Sequence, residues 1–208
     1  MKHRTGWLAM TGLALLLAAA STRYFSLNPA FFRPAYLANA GSLLLHAGFG
    51  SLALAAGPWQ FLPGLRSRRP RLHRALGRVY LVSVLGTGVG GLLLARIAQG
   101  GPVAQAGFAV LALEVLAATL VAFVAILRRR IRAHRQWMIR SYALIFSAVT
   151  FRLLLVPAFL GLPFDAVYAA DAWVAPVVNL LIAQALIARK PAGRLSPRPV
   201  ARPEPEAA

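Results

Sequence analysis

Six long apolar stretches decide what this chain can fold into. Each comes close to the roughly 20 residues that an α-helix needs to cross the hydrocarbon core of a bilayer. The stretches run over residues 7–25, 36–62, 76–98, 106–127, 137–160 and 171–188. In lipid a helix satisfies all of its own backbone hydrogen bonds. The sequence therefore predicts an all-α polytopic transmembrane helix bundle with about six spans, contained in residues 1–189.

The composition agrees with a membrane protein and narrows its chemistry. Of the 208 residues, 59% are hydrophobic and 13% are charged, whereas a soluble domain carries roughly 25% charged residues. A soluble enzyme is therefore excluded. The chain has no cysteine, which excludes disulfides, thiolate metal sites, iron–sulfur clusters and cysteine nucleophiles. Its four histidines are left as the only good ligands for a transition metal.

The basic residues indicate how the helices are oriented. The net charge of +18 comes from 23 Lys and Arg against 5 Asp and Glu. All but four of the basic residues lie at the chain ends or at the second–third and fourth–fifth connections. This positive-inside pattern predicts that both termini are cytoplasmic. No nucleic-acid partner is expected, because no loop can hold a recognition module; the arginines instead favour anionic lipid head groups.

Both ends of the chain carry a separate signal. Residues 1–21 combine a basic start, an apolar run and small residues, as a secretory signal peptide does. The apolar run is long for a signal, so we expect the first helix to be retained, and cleavage would leave five spans. Residues 190–208 are rich in Pro, Arg and Ala without an apolar period. They are predicted to form a disordered cytoplasmic tail.

A weak internal repeat links the two arginine-rich connections. Residues 68–74 and 129–135 agree at five of seven positions, and each segment is followed by an Arg and then a Tyr two residues later. Two helical hairpins of similar design would produce this pattern. The alternative is that arginine-rich loops resemble one another by composition alone.

Two of the histidines are candidate metal ligands. His73 and His134 sit at matching places in the repeat, each at the start of a helix that leaves the cytoplasmic side. Helix bundles hold haem through histidines on facing helices, so the pair predicts one b-type haem. Hydrogen-bonding partners for the haem propionates are available nearby. These are Arg74, Arg78, Tyr80, Arg135, Arg140 and Tyr142. The alternative is neutral interfacial histidine beside arginines that extend into the head groups.

Other polar residues lie within the apolar stretches. His46 is predicted near the bilayer midplane, where an ionisable residue indicates a functional site. We expect it either to take part in quinone binding or proton transfer, or to form a hydrogen bond with a neighbouring helix. Glu114 and Arg152 share a depth on adjacent antiparallel helices, so we expect them to pair; a proton or anion pathway is the alternative. Asn179 and Gln184 are expected to hydrogen-bond between helices.

The third stretch also contains a run of glycines. Residues 86–91 read Gly-Thr-Gly-Val-Gly-Gly, and small residues at this spacing let two helices approach closely. We expect packing within one chain, although the same face would also serve a homo-oligomer. The run does not form a phosphate-binding loop, since it lies within a span and no Lys-Ser or Lys-Thr follows.

Several short strings form a pattern of their own. They are His46, Gly-Pro-Trp-Gln-Phe at 57–61, His-Arg at 73–74, Gly-Arg-Val-Tyr at 77–80, the nine residues from His134 to Tyr142, and Arg152. Together they resemble a family of predicted bacterial integral membrane proteins catalogued as a domain of unknown function. The resemblance covers roughly residues 36–188. It implies a multi-span membrane protein and no particular activity.

Two functional hypotheses follow, both for a multi-pass protein of the bacterial cytoplasmic membrane. In the first, one b-type haem bound by His73 and His134 exchanges electrons with a quinone. In the second, the chain is a non-redox transporter or lipid-interacting subunit whose polar interior is formed by His46, Glu114 and Arg152. Whether the chain is an enzyme is left open by the sequence.

Overall fold

The computed structural model describes residues 2–189, and within them the chain is helical with connecting turns and no strand. Six helices are long and apolar enough to cross a membrane, so the predicted fold class is confirmed. We label the six long helices in chain order. They are α1 (Lys2–Ala20), α2 (Ala40–Ala56), α3 (Pro70–Ala95), α4 (Gly101–Leu127), α5 (Ile131–Leu154) and α6 (Phe164–Ala188). The predicted tail, 190–208, lies outside the described residues.

Short helical pieces join these spans. A 3-10 helix, Ser21–Ser26, continues α1, and another, Pro58–Phe61, continues α2. Three short α-helices lie in the first, second and fifth connections: Pro34–Leu37, Pro63–Arg68 and Val156–Phe159. Because the chain alternates direction, the two arginine-rich connections lie at one end of the bundle, which we call the basic end. The opposite end is called the far end.

Five of the long helices begin before the predicted apolar stretches, and only α2 begins inside one. α3 starts at Pro70 and α5 at Ile131, about six residues before the stretches predicted at 76 and 137. Proline suits the first turn because its missing N–H has no partner there in any case, and arginine is a good helix former. These helices therefore extend beyond the apolar core into the basic segments. As a result, His73 and His134 are each the fourth residue of their helix.

The helices pack as a four-helix bundle with two flanking helices. The largest contact joins α2 and α3. α4 packs on both α3 and α5, and a smaller contact joins α5 to α2. α3 and α5 thus lie diagonally across the bundle. α6 covers α4 and α5, and α1 covers α2. Many large apolar side chains face outward, as a lipid-facing surface requires. Among them are Leu16, Leu120, Leu181 and Ile182.

The glycine run sets the closest helix approach, as predicted. A Cβ built on Gly90 would lie 2.7 Å from the backbone nitrogen of His46, and one on Gly86 would overlap the ring of Phe49. On the other face of α3, a Cβ on Gly88 would meet Leu116 of α4. The absence of side chains at these positions lets α2 and α4 pack directly against the α3 backbone.

α1 is attached to the bundle near the basic end. The indole Nε1 of Trp7 donates to the Pro58 carbonyl at 3.0 Å, and its ring contacts Trp59 edge-on with centroids 5.8 Å apart. Ala14, in the middle of α1, is fully buried. The first helix therefore packs as part of the same core.

Candidate functional site

The first candidate site is formed by His73 and His134 at the basic end. Each is the fourth residue of its helix, α3 or α5, and both helices start at this end of the bundle. Nδ1 of His134 is 2.8 Å from the carbonyl oxygen of Ala122 on α4. A carbonyl only accepts, so Nδ1 carries the hydrogen and a neutral ring keeps its lone pair on Nε2. Histidine ligands of metals are commonly oriented by such a bond.

Two buried polar atoms beside this pair have no partner. Nδ1 of His73 and Nε2 of Gln60 are both buried, and neither makes a hydrogen bond within the described chain. The amide oxygen of Gln60 lies 3.5 Å from where a Cβ of Gly77 would stand, one turn beyond His73 on α3. Buried polar groups are seldom left unpaired. This corner of the bundle therefore offers two open polar atoms to a group that the chain does not supply.

A chain of hydroxyl groups lies two helical turns deeper in the bundle. The Tyr80 and Ser141 hydroxyls are 2.8 Å apart, and the Ser141 and Thr119 hydroxyls are 2.7 Å apart. All three side chains are almost completely buried. Tyr80 follows His73 by seven residues and Ser141 follows His134 by seven, so each lies on the same helix face as its histidine. The three hydroxyls join α3, α4 and α5 across the bundle axis.

The second predicted tyrosine is also engaged by the protein. The Tyr142 hydroxyl donates to the Leu54 carbonyl at 3.3 Å, and its ring occupies the space beside Gly57, where a Cβ would overlap it. The ring also contacts Phe61 edge-on. Both tyrosines that were predicted to bind a cofactor therefore have hydroxyls bonded within the core. Their rings, rather than their hydroxyls, are what they contribute to the site.

The predicted arginines divide into two groups. Arg140 donates to the amide oxygen of Gln184 on α6 at 3.0 Å and lies 4.7 Å above the ring of Trp137. This contact confirms the interhelical role predicted for Gln184. Arg74, Arg78 and Arg135 are exposed at the basic end. Their guanidinium groups lie beside the histidine pair in sequence and remain accessible to an anionic ligand.

His46 lies in the half of the bundle away from the basic end. α2 begins only at Ala40, so His46 is six residues, or about 9 Å, from the start of its helix at 1.5 Å per residue. Its Nδ1 is 2.9 Å from the Thr87 carbonyl oxygen, which fixes the hydrogen on Nδ1. The Thr87 hydroxyl donates in return to the His46 carbonyl at 3.0 Å. The predicted hydrogen bond to a neighbouring helix is thus formed.

The predicted ion pair between Glu114 and Arg152 is wrong. The guanidinium of Arg152 donates to the Ala148 carbonyl at 2.7 Å and to the Tyr24 hydroxyl at 3.4 Å. Glu114 lies half-buried on α4, and neither hydrogen bond of Arg152 goes to it. Equal depth placed the two residues together in the prediction. The rotation of each helix, which equal depth does not define, turns them apart.

Other polar contacts lie between α5 and α6. The Asn179 amide oxygen accepts from Thr150 at 3.0 Å, and its amide nitrogen donates to Ser147 at 3.2 Å. This confirms the interhelical role predicted for Asn179. Within residues 2–189, no group of three or more His, Cys, Asp or Glu side chains gathers as a metal site.

The sequence predicted the histidine pair but missed several of its neighbours. Gln60 stands in the Gly-Pro-Trp-Gln-Phe string, and its polar side chain at the end of an apolar run was a usable signal. Ser141 and Thr119 gave no such signal, because isolated hydroxyl residues are common in membrane helices. Their hydrogen bonds form only where three helices pack together.

Comparison with known proteins identifies a family but no activity. A family model described as "Predicted membrane protein (DUF2306)" matches residues 43–187. This range runs from the start of α2 to the end of α6 and includes His46, His73 and His134. Neither the curated proteins nor the solved structures contain a match to the chain.

Proposed function

Because the chain belongs to the DUF2306 family of predicted membrane proteins, whose description names no activity, we propose a function from the site itself. The chain is a small electron-transfer protein that binds one b-type haem between His73 and His134 and exchanges electrons with a quinone. The positive-inside distribution of arginines supports a bacterial cytoplasmic membrane with the basic end inside. The observation that carries the proposal is the buried, unpartnered Nδ1 of His73 at the same end of the bundle as His134, whose Nδ1 bonds the Ala122 carbonyl.

The state of each imidazole fits an axial ligand. His134 is held through Nδ1 by the Ala122 carbonyl, which leaves Nε2 as the nitrogen with a free lone pair. His73 has a buried nitrogen without a partner, and so has the Gln60 amide. A bound group at this place would explain why both are left open. Bis-histidine ligation from facing helices is an established way to hold haem in a bundle.

The surrounding residues have separate tasks. When bound, the haem supplies reversible one-electron chemistry. The exposed guanidinium groups of Arg74, Arg78 and Arg135 bind its carboxylates, since arginine meets a carboxylate with two parallel hydrogen bonds. The hydroxyls of Tyr80, Ser141 and Thr119 bond one another. They hold α3, α4 and α5 at a constant separation and thereby keep the two histidines facing each other.

The test is a spectrum of the purified protein. We would express the full chain in cells supplied with a haem precursor, purify it in detergent and record the dithionite-reduced minus oxidised spectrum. A Soret band and an α band are expected, with one haem per chain by the pyridine haemochromogen assay. His73→Ala and His134→Ala should each remove the low-spin α band, because each removes an axial ligand.

His46→Ala is the matched control, since it deletes an imidazole elsewhere in the bundle. It should keep the bands if the protein elutes as one symmetric peak in size-exclusion chromatography. A folded wild-type protein without either band would overturn the proposal. So would an α band that survives in both His73→Ala and His134→Ala.

A further inference from the structure

A cavity of about 400 Å³ opens at the far end of the bundle. It is lined by Arg33 of the first connection, residues 97–101 at the third connection, Gln105 of α4 and Asp165 of α6. Arg33 and Asp165 are exposed, and Gln105 is half-buried. The cavity therefore lies between separate segments of the chain and can be entered from the surface. We call it the far-end cavity.

The packing of the third connection fixes one wall of the far-end cavity. Gly100 has a φ of +77°, and a Cβ there would lie 3.1 Å from the Asp165 carbonyl oxygen and 3.3 Å from the Ala169 nitrogen. A residue without a side chain is needed for the connection to rest on the start of α6. The Gln105 amide nitrogen donates to the Ala98 carbonyl at 3.5 Å. The third connection is thus held by both α4 and α6.

The two charged side chains of the far-end cavity have opposite signs. Among the described residues that line it, Arg33 is the one cation and Asp165 is the one anion. A simple anion would be attracted by Arg33 and repelled by Asp165, and a simple cation would meet the reverse. A zwitterion satisfies both, because its anionic group pairs with the guanidinium and its cationic group with the carboxylate. The lining therefore favours a ligand that carries both charges and is neutral in sum.

The hydrogen-bonding groups of the cavity narrow the cationic part of the ligand. A carboxylate such as Asp165 only accepts hydrogen bonds. The Gln105 amide nitrogen is used within the chain, which leaves its amide oxygen as a further acceptor. A primary ammonium offers three N–H donors to such acceptors, whereas a quaternary ammonium offers none. The cavity is therefore suited to a zwitterion with a primary ammonium.

The position of the far-end cavity places it among lipid head groups. α4 begins at Gly101 and has 27 residues, so it is about 40 Å long at 1.5 Å per residue. This length exceeds the roughly 30 Å of the hydrocarbon core, so the ends of α4 extend into the head-group layers. Exposed apolar side chains flank the cavity two or three residues from its lining: Phe31, Val103 and Leu162. Lipid tails cover such side chains, which favours a ligand with acyl chains.

We propose that the far-end cavity binds the head group of phosphatidylethanolamine, a membrane lipid that joins a phosphate to a primary ammonium. Arg33 binds the phosphate, and Asp165 accepts hydrogen bonds from the ammonium. Binding requires neither His73 nor His134. This inference and the proposed function can therefore fail separately.

Native mass spectrometry of the full chain in detergent tests the inference by counting bound lipids. The protein is titrated with phosphatidylethanolamine and, separately, with phosphatidylcholine of the same acyl chains, which has the phosphate but no N–H donor. The first phosphatidylethanolamine should bind with a Kd about tenfold lower than the first phosphatidylcholine, because its hydrogen bonds to the carboxylate are charge-assisted. Asp165→Asn should bring the two Kd values together. Arg33→Gln should weaken the first binding of both lipids, since both carry the phosphate.

Arg23→Gln is the matched control, because Arg23 is an exposed arginine of the 3-10 helix after α1 and does not line the cavity. Both of its Kd values should equal those of the wild type. Arg33→Gln keeps the test decisive where Asp165→Asn does not fold. Equal affinity of the wild type for the two lipids would overturn the inference, as would a preference that survives in Asp165→Asn.

A soluble head group separates a lipid ligand from a free zwitterion. Glycerophosphoethanolamine carries the same phosphate and ammonium without acyl chains, and it should bind far more weakly than the lipid. Binding of glycerophosphoethanolamine as tight as that of phosphatidylethanolamine would overturn the assignment to a lipid.

Discussion

The two ends of the bundle accommodate polar side chains inside a membrane protein in different ways. At the basic end, His73 and His134 occupy equal positions on two diagonal helices, and Tyr80 and Ser141 repeat that symmetry two turns deeper. At the far end, the polar contacts have no such symmetry. They join single residues of different segments: His46 bonds Thr87 of α3, and Arg152 of α5 bonds Tyr24 in the 3-10 helix after α1. The repeat in the sequence thus indicates the arrangement at the basic end and contains no information on the far end.

The two ends also differ in what holds their polar groups. Near the basic end, side-chain hydroxyls bond one another in the core, so removal of one leaves others unpaired. At the far end, His46 donates to the backbone carbonyl of Thr87, and Arg152 donates to the backbone carbonyl of Ala148. Backbone partners stay in place when a side chain is changed. We therefore expect mutations of hydroxyl groups to destabilise the basic half more than the far half.

The largest effect is expected where α2 meets α3. Gly90→Ala would place a Cβ 2.7 Å from the His46 backbone nitrogen, and two backbones must separate to admit it. We expect a loss near the top of the roughly 1–3 kcal/mol range for overpacking, measured as the free energy of unfolding in detergent.

Gly41→Ala is the control for this change, since it makes the same substitution in α2 where no atom lies within 4 Å. It should be neutral or stabilising by up to about 1 kcal/mol, because alanine is the better helix former. Equal stability of the two variants would contradict the close approach.

A smaller effect is expected from the hydroxyl chain. Ser141→Ala leaves the buried hydroxyls of Tyr80 and Thr119 without their shared partner, at a cost of about 2 kcal/mol. Thr87→Val at the far end should cost about 1 kcal/mol, because His46 keeps its bond to the Thr87 carbonyl. Unfolding of both variants under one set of conditions compares the two ends. A larger loss of unfolding free energy in Thr87→Val than in Ser141→Ala would contradict this prediction.

The smallest effect is expected from the charged pair that does not form. A double-mutant cycle of Glu114→Gln and Arg152→Gln should give a coupling energy below about 0.5 kcal/mol, since each residue lacks contact with the other. Breaking a buried ion pair would instead cost about 3–5 kcal/mol. A coupling energy of that size would show that Glu114 and Arg152 do pair, as their equal depth predicted.

Much of the fold follows from local features of the sequence. Apolar length predicts six helices because lipid leaves the backbone no other partner, and glycines at 86–91 predict a close contact because they lack side chains. The helix starts at 70 and 131 were missed because hydropathy reports where lipid begins, whereas the helix continues through arginines. That difference places His73 and His134 inside their helices, one turn from the start.

By itself the sequence determined the spans, the concentration of arginines at one end, and the two histidines that share a position in a repeat. These depend on length, charge and spacing, which a linear chain carries. Only the tertiary structure decided that Arg152 joins Tyr24 and not Glu114, that Ser141 links Tyr80 to Thr119, and that His46 bonds Thr87. Each of these depends on how a helix is rotated about its axis, and rotation is set by packing against neighbours rather than by depth in the membrane.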